Sequence, residues 1–168
     1  MKKEKNNDWI YYVFVLLSTV IVFSYVLHFG YISSGSMEPA LMTHDVVLNS
    51  RIIISPIKYG DIISFKREDG DIYAKRVIGV AGDEVMIIGG HVYINGEKLE
   101  EAYIASDVKT HAGETVIFDV PENSFFVLGD NREDSYDSRF WEEPYVKRED
   151  VISRYLFSIP IHLLYKQG

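Results

Sequence analysis

Three segments carry residue types and spacings that could do chemistry. The first is Ser33-Ser34-Gly35-Ser36-Met37-Glu38-Pro39-Ala40-Leu41. A small turn containing glycine can present the Ser36 hydroxyl and leave backbone N–H groups free to face a developing oxyanion. Taken alone, the same run also reads as a Ser/Gly linker. The second is Tyr73-Ala74-Lys75-Arg76-Val77-Ile78-Gly79-Val80-Ala81-Gly82-Asp83. In a strand, Lys75 shares a face with Tyr73 and Val77. Bulky neighbours desolvate an amine and lower its pKa, which turns an inert ammonium into a usable base. The plainer reading is a solvated pair, Lys75 and Arg76, on a surface strand. The third is Gly129-Asp130-Asn131-Arg132-Glu133-Asp134-Ser135-Tyr136-Asp137-Ser138-Arg139. Its mixed charge suits either an ordinary surface loop or an internally hydrogen-bonded loop that supports a site.

The elements that must position these residues fall into two parts. Trp9–Leu27 is an uncharged run of 19 residues, close to the ~20 that a helix needs to cross a bilayer. Aromatic residues flank it at Trp9, Tyr11 and Tyr12 and again at Phe29 and Tyr31. Lys2, Lys3 and Lys5 precede it, so the positive-inside rule predicts a cytoplasmic tip at 1–8, an anchor at 9–28 and an outer domain at 29–168. A cleaved leader would have a shorter core and a small-residue exit, which Val26-Leu27-His28-Phe29 does not offer.

Beyond the run the pattern is β. Strands are expected at Asp45–Leu48, Ile62–Lys66, Ile72–Ile78, Val85–Ile88, His91–Ile94, Thr115–Asp119 and Ser124–Leu128. Gly89-Gly90 and Asn95-Gly96 are tight-turn signals between them. A mainly β domain, barrel-like or sandwich-like, is the expected fold class. Residues 100–115 and 130–150 read as loops. Tyr155–Tyr165 is an apolar stretch of 11 residues with Pro160 inside it, too short to span a bilayer. Its part near Phe157–Leu164 suits either packing in the core or resting on lipid.

Composition narrows the function. The sequence has no cysteine, which removes disulfides, thiolate nucleophiles and cysteine-held metals. Its net charge is −8 with no basic face, so no nucleic-acid partner is expected. His28, His44, His91, His111 and His162 lie in no catalytic motif, which leaves a Ser-His-Asp triad without sequence support.

Ser-Gly-Ser-Met-x-Pro, Tyr-x-Lys-Arg-Val-x-Gly-x-x-Gly-Asp and Gly-Asp-Asn-Arg-x-x-Ser-x-Asp-Ser-Arg, in this order behind one apolar run, resemble the signature boxes of bacterial type I signal peptidases. The likeness covers roughly residues 8–160, and the short insert between the second and third boxes resembles the compact Gram-positive enzymes. The resemblance implies Ser36 as nucleophile and Lys75 as general base of a Ser-Lys dyad. It implies an oxyanion hole from the Ser36 N–H and the Ser34 hydroxyl. Ser135 would orient the amine, while the pairs Asp137–Arg139 and Asp130–Arg76 would hold the third box in place. Ile32, Met37, Leu41 and Tyr73 would line shallow pockets for small substrate side chains. The implied substrates are preproteins with signal peptides, met at the outer face of the cell membrane among lipid and near the export translocon. No cofactor and no metal are implied.

Four positions depart from the familiar pattern. Ala40 replaces a common Thr, His44 stands where Gly often precedes Asp45, Asp134 replaces a common Asn, and Trp141-Glu142-Glu143-Pro144 replaces Trp-Gly-x-x-Pro. A carboxylate at 134 aimed at Lys75 would favour the charged amine, so Asp134 is expected to face solvent. The rival readings are a self-cleaving Ser-Lys repressor, which would need a DNA-binding module in place of the apolar run, and a non-catalytic membrane-anchored β module that binds peptides.

Overall fold

The computed structural model describes residues 8–105, 107–161 and 163. The basic tip at 1–7 and the end of the C-terminal apolar stretch, with His162, lie outside the described residues. Helix α1, Asp8–Ile21, continues as a π-helical turn over Val22–Val26. These 19 residues are long and apolar enough to cross a membrane, and none of them is buried against the protein. A helix apolar on every face that finds no protein partner is matched to a hydrocarbon environment.

Strand β1, Leu27–Tyr31, begins at the residue after the helix. The apolar helix expected over 9–28 ends at Val26, because Leu27 and His28 pair with Ser50 and Asn49 as strand. The other strands are β2 Val46–Ser50, β3 Ile62–Lys66, β4 Ile72–Val80, β5 Glu84–Ile88, β6 His91–Ile94, β7 Glu97–Lys98, β8 Val116–Asp119, β9 Ser124–Leu128, β10 Tyr145–Lys147 and β11 Val151–Ile159. The fold is mainly β, as expected. One antiparallel sheet runs β1-β2-β11-β3-β4-β9-β10 and a smaller one runs β7-β6-β5-β8. Asn95 and Gly96 both take positive φ between β6 and β7, the tight turn their types predict.

Strand β11 sits between β2 and β3, although nothing in the sequence announced it as a strand. Its register shifts between Val151 and Ser153 against β3 and between Tyr155 and Phe157 against β2, which erases the period-two signal. Its backbone pairs on both sides while Leu156, Phe157 and Ile159 stay exposed, so these side chains are not core.

Three clusters hold the domain together. Ile63, Phe65, Val77, Val127 and Trp141 form one. Ile78, Val85, Phe126 and Leu128 join the small sheet to the large one. Met37, Leu41, Val47 and Ile62 form the third. Each buried Leu, Ile or Phe stabilises by about 1.5–3 kcal/mol relative to exposure. The third cluster is the one that pins the Ser36 turn.

Candidate active site

The Ser36 turn is held from both ends. Met37 and Leu41 point into the core, and Leu41 N–H donates to the Met37 carbonyl at 2.9 Å. Glu38 accepts from the Thr43 hydroxyl at 2.8 Å, which closes the turn on its far side. The Ile32 N–H donates to Asp45 O at 2.9 Å, and the His44 N–H donates to Ile32 O at 2.8 Å. His44 takes φ 77°, a conformation that glycine adopts without strain, which accounts for glycine as the common choice there. Ser36 is half-buried, and its Oγ lies 3.5 Å from Ser34 Oγ. Among the described residues the Ser36 N–H has no protein acceptor, so it is available to an incoming oxygen.

Lys75 is 2% exposed in the middle of β4. Its Nζ donates to Ser135 Oγ at 2.9 Å. Burial lowers its pKa from the ordinary lysine value to about 8, against the pull of Asp137 and Asp130 and with help from Arg139. Asp134 is exposed, as expected, yet its carboxylate still adds a smaller pull toward the charged amine. Lys75 Nζ and Ser36 Oγ are not hydrogen-bonded to each other; Ser135 is the partner of the one and Ser34 of the other.

The third motif folds as a charge-balanced clamp. Arg76 grips Asp130 with both arms, at 2.7 and 2.5 Å. Arg139 grips Asp137 at 2.8 and 2.9 Å, and the Gly129 N–H donates to the same carboxylate at 3.0 Å. Bidentate pairs of this kind fix orientation as well as charge. Asn131 then ties the clamp to the serine turn. Its N–H donates to Ser36 O at 3.1 Å and its side-chain amide to Gly35 O at 3.1 Å.

Two residues without an expected role stand out. A Cβ at Gly129 would lie 2.2 Å from Ser135 Oγ and 2.4 Å from Ser36 O, so this position brings both reactive segments together only because it lacks a side chain. Sequence shows Gly129 as a loop glycine and cannot show what it touches. Arg132 is buried and donates to Gly129 O at 2.9 Å. The Trp141 departure is absorbed locally. Trp141 packs against Phe65, Tyr73 and Tyr136 under the Arg67 guanidinium, while Glu142 and Glu143 remain exposed.

Beside this centre runs a groove of about 610 Å³. Ile32–Ser34, Ile72–Ala74, Met37 and Leu41 are among its lining residues. All of Ile32, Met37, Leu41 and Tyr73 line it. On the β9 side, β4 is paired only from Arg76 onward, so the edge at Ile72–Lys75 is open. An open edge beside an apolar groove accepts an extended chain as an added strand. Among the described residues no cluster of ligating side chains is arranged to hold a metal ion, and no histidine is hydrogen-bonded to Ser36.

The Gly129 geometry yields a direct expectation. Gly129→Ala should lower kcat/KM by about 10²-fold, because a displacement near 1 Å at the reacting groups is enough for that. Steady-state kinetics beside a thermal melt would check it. Wild-type rates in a folded variant would show that the close approach is dispensable.

Known proteins resemble this chain over most of its length. The family model described as signal peptidase, peptidase S26, matches residues 6–159. A probable signal peptidase I-2 of Synechocystis is 36% identical, over 91% of this chain and 75% of its own length. Signal peptidase I of Bacillus amyloliquefaciens is 34% identical, over 82% of this chain and 80% of its own. The crystal structure of a signal peptidase I from Enterococcus faecalis V583 is 31% identical and superposes with a TM-score of 0.50, covering 60% of this chain and 97% of that one. Fold, groove and likeness together define a peptidase. The chain belongs to the signal peptidase family, peptidase S26.

Proposed function

We propose that this protein is a serine endopeptidase that removes N-terminal signal peptides from secreted preproteins, with Ser36 as nucleophile and Lys75 as base. The observation that carries this reading is Lys75 itself: a buried amine held by Ser135 and tied to the Ser36 turn through Gly129 and Asn131. A structural cation gains nothing from such burial, whereas a base near pKa 8 is well matched to neutral chemistry.

The steps follow from the geometry. Neutral Lys75 takes the Ser36 Oγ proton as the oxygen attacks the scissile carbonyl. The Ser36 N–H and the Ser34 hydroxyl receive the oxyanion. Lys75 returns the proton to the leaving amine of the mature protein, and the signal peptide stays esterified to Ser36. Lys75 next deprotonates a water, which releases the peptide and restores the serine. The substrate lies as a strand between Ile32–Ser34 and Ile72–Ala74, its small side chains against Met37, Leu41, Ile32 and Tyr73. Asp130–Arg76 and Asp137–Arg139 hold the machinery.

In this reading α1 and its π-helical continuation anchor the chain in the cell membrane. The segment before them faces the cytoplasm, and the catalytic domain, from β1 onward, faces the outside. Lipid and the export translocon are its surroundings, and the anchor raises the local concentration of membrane-held substrate.

The test uses the full chain in detergent with a preprotein carrying Ala at the residue before the cleavage site and two positions earlier. Mass spectrometry should place the cut directly after the second of these Ala residues in chain order. Replacing that Ala with Phe should lower kcat/KM by about 10²-fold or more, since a shallow pocket cannot take the ring. Equal cleavage of both substrates, or cleavage of neither, would overturn the reading.

A further inference from the structure

Residues outside the three motifs grip the back of the catalytic turn. Glu101, in the loop after β7, takes both arms of Arg132, with Nη2 to Oε1 at 2.5 Å and Nη1 to Oε2 at 3.1 Å. The Arg132 side chain is fully buried, and it also donates to the Thr110 hydroxyl. Its Nε holds Gly129 O at 2.9 Å. Two residues on, Tyr103 donates to Glu101 at 2.7 Å, and its ring lies 4.1 Å beneath the Arg76 guanidinium that pairs with Asp130. One short segment of the loop after β7 therefore supports the turn 129–132 twice, through Arg132 and through Arg76.

That turn is the piece wedged between the two reactive segments. Gly129 abuts Ser36 O and Ser135, and Asn131 donates to the Ser36 and Gly35 carbonyls. A shift of the turn would move Ser36 and Ser135 relative to each other, and Ser135 is what Lys75 is bonded to. A buried carboxylate–guanidinium pair is seldom worth more in stability than well-packed apolar side chains. Its value here lies in geometry.

We propose that Glu101 is a positioning residue for the peptidase reaction: by holding Arg132 it fixes the turn at Gly129 and so sets Ser36 against Lys75. The proposal rests on the Ser36–Lys75 reading. The two fail separately, because activity in Lys75→Arg tests the dyad, while Glu101 variants are judged against wild type.

The experiment uses the full chain in detergent with preprotein substrate. Glu101→Gln keeps one acceptor and removes the charge. The double variant Glu101→Met with Arg132→Met removes both charges and leaves no orphaned ion. In each, kcat should fall about 10-fold with KM nearly unchanged. The pH midpoint of kcat/KM should also rise, because a loosened Ser135 admits water to the amine. Asp130, Asp134, Asp137 and Arg139, the charged groups acting on Lys75, are untouched by either variant. A purely structural pair would lower the melting temperature and leave both kcat and the pH midpoint in place. Wild-type kcat in either folded variant, or a loss confined to KM, overturns the proposal. If neither variant folds, Thr110→Val decides. It removes one acceptor from Arg132 at constant shape and should lower kcat about threefold, and wild-type kcat there overturns the proposal too.

Discussion

Lys75→Arg should lose about 10⁴-fold or more in kcat/KM at every pH tested, the order expected when one member of a nucleophile–base pair is removed. Arginine keeps the charge and the reach of lysine, so a structural cation facing Asp137 and Asp130 would tolerate it in part. A general base would not, because guanidinium stays protonated at any accessible pH. The wild type supplies the control. Burial holds the Lys75 pKa at about 8, and in the proposed mechanism the neutral amine is the working form. The sign follows: kcat/KM rises tenfold per pH unit below the midpoint and levels off above it. Increasing ionic strength should move the midpoint little, because the cause is desolvation and not a surface charge. The measurement is a pH series on both proteins, with circular dichroism to show that the bulkier guanidinium leaves the fold intact. Appreciable activity in the arginine variant would rule Lys75 out as the base.

Ser36→Ala should abolish turnover, by as much as about 10⁶-fold on the scale known for loss of a serine nucleophile. The fold should hardly notice. Among the described residues Ser36 Oγ has one side-chain neighbour at hydrogen-bond range, Ser34 Oγ at 3.5 Å, and the residue is half-buried. The turn is held instead by Met37, Leu41 and the backbone and side-chain hydrogen bonds from Asn131, none of which the substitution touches. The stability change should therefore stay within about 0.5 kcal/mol. Because the groove and the open edge of β4 survive, the variant should still bind preprotein, with a Kd close to the wild-type KM if chemistry limits turnover. Thermal melts, a binding titration and single-turnover kinetics check all parts. Wild-type-like turnover would remove Ser36 from the mechanism.

Much of this was already legible in the order of residues. The strands Ile62–Lys66, His91–Ile94 and Ser124–Leu128 fall at the expected bounds, since alternation and Gly or Asn turns are local signals. The apolar helix was equally plain, because a run without charge has few other uses. The partners of Arg76 and Arg139 followed from likeness to known motifs, and the distances agree with them.

What the sequence could not determine shares one physical cause: it depends on contacts far apart in the chain. Strand β1 hides at the end of an apolar run, and only its pairing with β2 turns Leu27 and His28 from helix into strand. Strand β11 lies between β2 and β3 with two register shifts that no periodicity reveals. The desolvation of Lys75 depends on what packs over it, Ser135 arriving from 60 residues away. Glu101 meets Arg132 across 31 residues from a stretch that reads as plain loop. Gly129 reads the same whether it turns freely or sits against Ser36 and Ser135, and only the tertiary structure decided that it does the second.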